Sequence, residues 1–257
     1  MSRPSKHTGP QIAVVGAFRS GTNFVQFLLE RNYLCVVDGG AHGWKHAPIA
    51  RPYRDDCQDI PMVVVAKNPF AFLTSLFDYR IEVDRNIDSS RNWGTFLTSP
   101  ISIYDTDPSS AATYRFANPV AYWNDLYANL TNLPPQSITT EVLVYEDCLK
   151  DPEGEISRTA KSLGLVRGKN AFLYPTRKIS RGKGGLLGKL MGGSNRETHQ
   201  SFTPEKYLTH SYLDRYTDTQ LKFVADAADP ELLARFGMNL TDILNMRKFS
   251  SNSKHEV

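Results

Sequence analysis

Between Gly16 and Asn23 the chain reads Gly-Ala-Phe-Arg-Ser-Gly-Thr-Asn, a short loop with two glycines, one cation, two hydroxyls and a carboxamide. Residues of these types suit an anion: glycines open the backbone N–H groups, and a guanidinium can hold an oxyanion at two points. The loop is not a Walker A, in which a lysine follows the second glycine and a hydroxyl then serves magnesium. Here Thr22 follows Gly21, and the cation, Arg19, precedes it. The reading is a phosphate cradle without the usual magnesium–triphosphate apparatus. A βα turn whose glycines only permit tight packing is the alternative for the loop taken alone.

The flanking residues say what must hold this loop. Ile12–Val15 is an apolar run suited to a buried strand, and Phe24, Phe27 and Leu28 resume at helical spacing. Strand, glycine loop and helix together aim a helix N-terminus at the loop. Further apolar runs at Tyr33–Val37, Met62–Ala66 and Val142–Tyr145 read as strands. The β-branched run Met62–Ala66 has the composition of a strand buried on both faces. Helices are expected over Phe70–Tyr79 with Pro69 in its first turn, over Val120–Leu130, and over Pro152–Leu163. Strands alternating with helices predict an α/β fold, a parallel sheet flanked by helices.

With 257 residues, 40% of them hydrophobic and 22% charged, the chain suits a single globular domain over about 1–250. Residues 1–10 and 249–257 read as flexible tails. A net charge of +3 is too slight to argue for nucleic acid and is compatible with a small anionic ligand. No apolar run approaches the roughly 18 residues of a membrane span, and the first ten residues carry no secretory h-region. Cys35, Cys57 and Cys148 are three scattered thiols, which predicts a reducing, cytoplasmic setting with Cys35 and Cys148 as core residues. No metal-ligand cluster is visible, so no metal is expected.

Two stretches break the rhythm. Residues 85–118 are rich in Asn, Asp, Ser and Thr, with Trp93, Phe96, Tyr104 and Tyr114 scattered through them. They read as a lid or acceptor-binding loop, or else as a plain surface loop. Residues 177–196 form a basic, glycine-rich segment able to close over an anion, or simply a solvated loop. Beyond it, Pro204 to Phe236 reads as two helices.

Three ordered features resemble the sulfotransferases that use 3′-phosphoadenosine 5′-phosphosulfate (PAPS). Phe18-Arg19-Ser20-Gly21-Thr22-Asn23 is similar to that family's 5′-phosphosulfate loop. Lys67-Asn68-Pro69 with Ser75 resembles its 3′-phosphate site, where arginine usually stands in place of Lys67. Leu143-Val144-Tyr145-Glu146-Asp147 resembles its Y-E-D strand end. The resemblance spans about residues 12–240. It implies a P-loop NTPase-like three-layer sandwich and a PAPS site made of Arg19, Ser20, Gly21, Thr22, Asn23, Lys67, Ser75 and Tyr145. Tyr145 would lie near the adenine, with a core tyrosine as the other reading. Arg181, Lys183 and Gly184 match the family's basic loop in part, since its tryptophan is missing here.

The activity so implied is transfer of a sulfuryl group from PAPS to a hydroxyl or amine of a small-molecule or carbohydrate acceptor, leaving PAP. Arg19 would stabilise charge developing on the departing phosphate. The acceptor must lose a proton, and His46, which precedes Ala47-Pro48, is the favoured base, with His42 second and Lys45 assisting. Two other readings compete: a P-loop kinase, and a protein that binds PAP or PAPS without turnover.

Overall fold

The computed structural model describes residues 9–47, 59–82, 87–105, 112–132, 138–168, 170–181, 195–201 and 204–245. Strand β1 (Gln11–Val15) runs into helix α1 (Thr22–Asn32), which returns to the short β2 (Val36–Val37). Then β3 (Met62–Ala66) leads to α2 (Pro69–Glu82), and β7 (Thr140–Val144) to α5 (Tyr145–Lys150) and α6 (Pro152–Ser162). These strands form one parallel sheet in the order β2-β1-β3-β7.

Alternation of side chains divides the core by sheet face. Ile12, Val14, Val63, Val65 and Leu143 pack with α1, α5 and α6, and Cys35 and Cys148 lie buried in the same cluster. Ala13, Val15, Met62, Val64 and Ala66 pack on the other face, against α2 and the helices that follow. Every residue of β3 is buried, as a strand covered by helices on both faces requires. The fold is α/β, with a four-stranded parallel sheet flanked by helices. Among the described residues no helix is long and apolar enough to cross a membrane.

Several expectations are corrected. The second strand is two residues, because α1 extends to Asn32, and Tyr33 and Leu34 instead meet Arg167 and Val166. Asn32 holds that junction through two hydrogen bonds with the Leu173 backbone. Tyr145 opens a helix rather than ending a strand.

The described residues of the 85–118 segment are not a plain loop. They hold β4 (Ile87–Asp88), α3 (Trp93–Thr98), β5 (Ile101–Tyr104) and β6 (Thr113–Phe116), the strands pairing antiparallel in that order. Trp93 lies parallel to Phe96 and meets Phe77 and Tyr216 edge-on, so these aromatics belong to the core. Asn92 caps α3, and Asn118 caps α4 (Pro119–Thr131), each through its side-chain oxygen.

The basic segment is flanked by strands. β8 (Arg177–Arg181) pairs antiparallel with β9 (Asn195–Ser201), and both run beside α1. After it come not two helices but α7 (Glu205–Leu208), a 3₁₀ turn (Ser211–Arg215), α8 (Asp218–Ala227) and α9 (Pro230–Arg235). His210 at φ 56°, the Thr217 capping box and the Asp229 cap set these breaks. Lys183, Gly184, Cys57, Pro48 and most of the two expected tails lie outside the described residues.

Candidate active site

Adjacent strands β1 and β3 send their connections to opposite sides of the sheet, β1 toward β2 and β3 toward β7. The crevice at their carboxyl ends is the topological switch point, where open parallel sheets bind ligands. The 16–23 loop leaves β1 there, and Lys67 leaves β3 there.

Loop shape explains its glycines. A side chain on Gly16 would strike the Val65 carbonyl, and one on Gly21, at φ 99°, would enter the Tyr145 ring. Arg19 also sits in the left-handed region at φ 64°. Its side chain is exposed, with the guanidinium 5.3 Å from the centre of the Tyr79 ring. Helix α1 starts at Thr22 with no side-chain cap, so its positive end faces the loop. Thr22 is buried, and Lys45 Nζ donates to Asn23 Oδ1 over 2.6 Å. Ser20 Oγ is buried beside Gly16 without a hydrogen-bond partner among the described residues.

Lys67 and Ser75 meet as their spacing suggested. Lys67 Nζ donates to Ser75 Oγ at 3.0 Å and to the Arg19 carbonyl at 3.2 Å. Ser75 Oγ also donates to the Ala71 carbonyl at 2.8 Å. Asn68 Oδ1 caps α2 by accepting from the Ala71 N–H, while its amide donates to Glu146 and Tyr212. Glu146 is thus occupied with Asn68. Burial pushes its carboxyl up in pKa despite the Lys67 charge nearby, and burial lowers the Lys67 ammonium.

Tyr207 joins this group without any signal in the sequence. Its hydroxyl lies 3.1 Å from Ser75 Oγ, and Lys67 Nζ lies 3.9 Å from its ring centre. Burial works to raise the Tyr207 phenol, but Lys67 and the bonds to Ser75 and Lys67 outweigh it and bring the value to about 8.

Helix α4 fixes the strand ends from below. Trp123 Nε1 donates to the Lys67 carbonyl at 2.8 Å, and the Tyr127 hydroxyl to the Val65 carbonyl at 2.8 Å. The Tyr122 hydroxyl accepts from Phe18 N–H and donates to the His46 carbonyl. These three buried polar tips give partners to backbone groups that the sheet leaves unpaired where it opens at the crevice. Sequence reading gave no sign of this role, since aromatics at i, i+1 and i+5 look like ordinary core.

The two histidines separate. His42 is buried with Nε2 donating to the Ile60 carbonyl at 2.8 Å, a structural arrangement. His46 Nδ1 lies 2.7 Å from the Gly16 carbonyl, which can only accept, so this nitrogen carries the proton and Nε2 is the basic one. The ring stacks on Phe18 at 4.3 Å, next in sequence to Arg19.

Tyr145 packs on Gly21, and its ring meets Phe24 edge-on at 5.9 Å and lies 4.8 Å from Lys67 Nζ. Phe24 also meets Tyr174 edge-on, so three aromatics border the start of α1. Arg181 lies at the end of β8, where the described part of that hairpin strand stops. Comparisons with protein-family models, curated proteins and solved structures return no match to this chain.

Proposed function

We propose that this protein is a PAPS-dependent sulfotransferase with a P-loop-type binding loop, acting on a hydroxyl or amine of a small-molecule or carbohydrate acceptor. The observation that carries the reading is the meeting of two anion-type sites in one crevice. The 16–23 loop with Arg19 and the α1 N-terminus is one; Lys67 with Ser75 is the other, joined to it by the Lys67–Arg19 carbonyl bond of 3.2 Å. A nucleotide with phosphoryl groups on both sides of its ribose suits such a pair, with the base beside Tyr145, Phe24 and Tyr174. The buried ammonium of Lys67 has its neighbouring carboxylate, Glu146, bonded to Asn68 instead, which leaves it a net attraction for an outside anion.

In the reaction the acceptor oxygen forms a bond to sulfur as the bond from sulfur to the bridging phosphate oxygen breaks. The acceptor proton goes to His46 Nε2, and PAP leaves with the electron pair. Arg19 and the α1 N–H groups offset the charge that grows on the departing phosphate. The Gly16 carbonyl holds His46 in the tautomer that this step needs. On the less complete match in the basic segment, Arg181, Lys183 and Gly184 would close over the 3′-phosphate.

The test is a thermal-shift titration with PAP, and separately with ATP and magnesium, on wild type and Arg19→Ala. A ligand present at 100 times its Kd should stabilise the fold by about 2.7 kcal/mol. PAP should stabilise wild type and lose most of that effect in Arg19→Ala. Stabilisation by magnesium–ATP but not by PAP would overturn the proposal in favour of a kinase. PAP binding with no sulfated product across an acceptor panel would leave a binding protein.

A further inference from the structure

Lys67 is 1% exposed although it stands at the mouth of the crevice. An outside anion can touch its ammonium only if a neighbour moves. Ser75 lies inside α2, and Tyr145 is wedged against Gly21, so neither can retreat cheaply. The Arg19 carbonyl belongs to the loop itself. Tyr207 is different: it is half-buried and sits on α7, a helix of only four residues. Its ring lies directly over the ammonium, and its hydroxyl reaches the same Ser75 oxygen that Lys67 uses. One ion pair ties α7 to α2, Lys206 Nζ to Asp78 Oδ2 at 3.1 Å, and Arg215 holds the other oxygen of Asp78 at 2.6 Å.

We propose that Tyr207 is a displaceable cap on Lys67, one that keeps the ammonium covered until a ligand carrying a phosphate there takes its place. The inference rests on the anion-site reading above and adds a competitor to it. A phosphate dianion attracts the ammonium more strongly than an aromatic face does, so it can take the place of the ring. A nucleotide without that phosphate leaves the cap in position and forgoes the contact. The affinity of this site for a phosphate is then set by the contest between phosphate and phenol, and is lower than the charge of Lys67 alone would give.

The experiment uses inorganic phosphate first, because it needs no assumption about the nucleotide. Wild type, Tyr207→Phe, Tyr207→Ala and the double variant Tyr207→Ala/Lys67→Gln are titrated by calorimetry or thermal shift, then again with PAP and with 5′-AMP. Removing the cap should tighten phosphate and PAP by about tenfold in Tyr207→Ala, with a smaller gain in Tyr207→Phe, which keeps the ring. Affinity for 5′-AMP should not change, and the gain should vanish in the double variant. Equal or weaker phosphate and PAP binding in both single variants overturns the cap, weaker binding marking Tyr207 as a donor to the anion instead. If PAP does no better than 5′-AMP while the phosphate gain persists, the cap stands and the PAPS reading falls.

Discussion

Lys67 Nζ donates a hydrogen bond to the backbone carbonyl of Arg19, across a 3.2 Å contact between the end of β3 and the loop after β1. Two cations that lie 48 positions apart in sequence therefore share one wall of the crevice. Arg19 itself stands in the left-handed region at φ 64°, with its carbonyl accepting this bond.

Arg19 is exposed, and on the proposed function it touches the ligand. Arg19→Ala should weaken PAP by roughly 10- to 100-fold, the range for loss of a charge-assisted contact, with little change in melting temperature without ligand. Arg19→Lys should recover part of the affinity, since charge remains and the two-point grip is lost. Calorimetric titration of the three proteins checks this; an unchanged Kd in Arg19→Ala would remove the loop from the binding site.

Gly21 and Tyr145 form a pair whose packing can be measured. Gly21→Ala adds a methyl group into the Tyr145 ring at a left-handed backbone position, and should destabilise the fold by about 1–3 kcal/mol. Gly21→Ala/Tyr145→Ala relieves the collision but not the backbone strain. The two substitutions should therefore be less damaging together than their sum, by more than about 0.5 kcal/mol. Denaturant unfolding of the four proteins gives the coupling directly, and strict additivity would contradict the contact.

The histidines should respond differently. His46→Gln should lower kcat by about 10²- to 10⁴-fold and flatten the rising limb of the pH–rate profile, as expected on loss of a general base. His42→Gln should act on stability, through the lost bond to the Ile60 carbonyl, and leave the shape of the profile alone. A His46 variant with wild-type kcat would send the search for the base elsewhere.

Tyr207 offers a pH signature. Its folded value of about 8 lies below the ordinary 10.0, because Lys67, Ser75 and Lys206 together outweigh burial. A group whose folded value is depressed adds stability that is complete above pH 10 and lost as pH falls through 8. Wild type should thus gain stability relative to Tyr207→Phe between those two values, and ultraviolet titration should show one early phenol that the variant lacks. Parallel stability curves for the two proteins would mean that the phenol does not ionise beside Lys67.

Trp123 tests positioning from beneath. Trp123→Phe keeps most of the ring and removes the donor to the Lys67 carbonyl, leaving a buried acceptor unpaired at a cost of about 1–3 kcal/mol. PAP affinity should fall with it, while Arg19→Ala should leave the unliganded stability alone. The contrast separates residues that hold the site from those that touch the ligand.

Local pattern was legible where it repeats or is chemically marked. β1, β3 and the helices after them follow from apolar runs and from Pro69, Pro119 and Pro152 at helix starts. The strands and helix within 85–118 were not legible, because they are two to six residues long, too short for periodicity to show. Trp93 and Phe96 pack into the core through Phe77 and Tyr216, which come from other parts of the chain, whereas Tyr104 is exposed.

From the sequence alone follow an α/β chain with a glycine loop, a cation within it, and a lysine eight residues before a serine that lies inside the next helix. Those are matters of composition and short spacing, and backbone geometry converts them directly into local structure. Tertiary contacts were needed to bring the loop and Lys67 into one crevice, to set His46 against the Gly16 carbonyl and His42 against that of Ile60, and to lay Tyr207 over the ammonium. Tyr207 lies 132 positions from Ser75, and its contact depends on α7 packing beside α5 and the 3₁₀ turn. No periodicity encodes a meeting at that distance; burial of the shared core brings the two together.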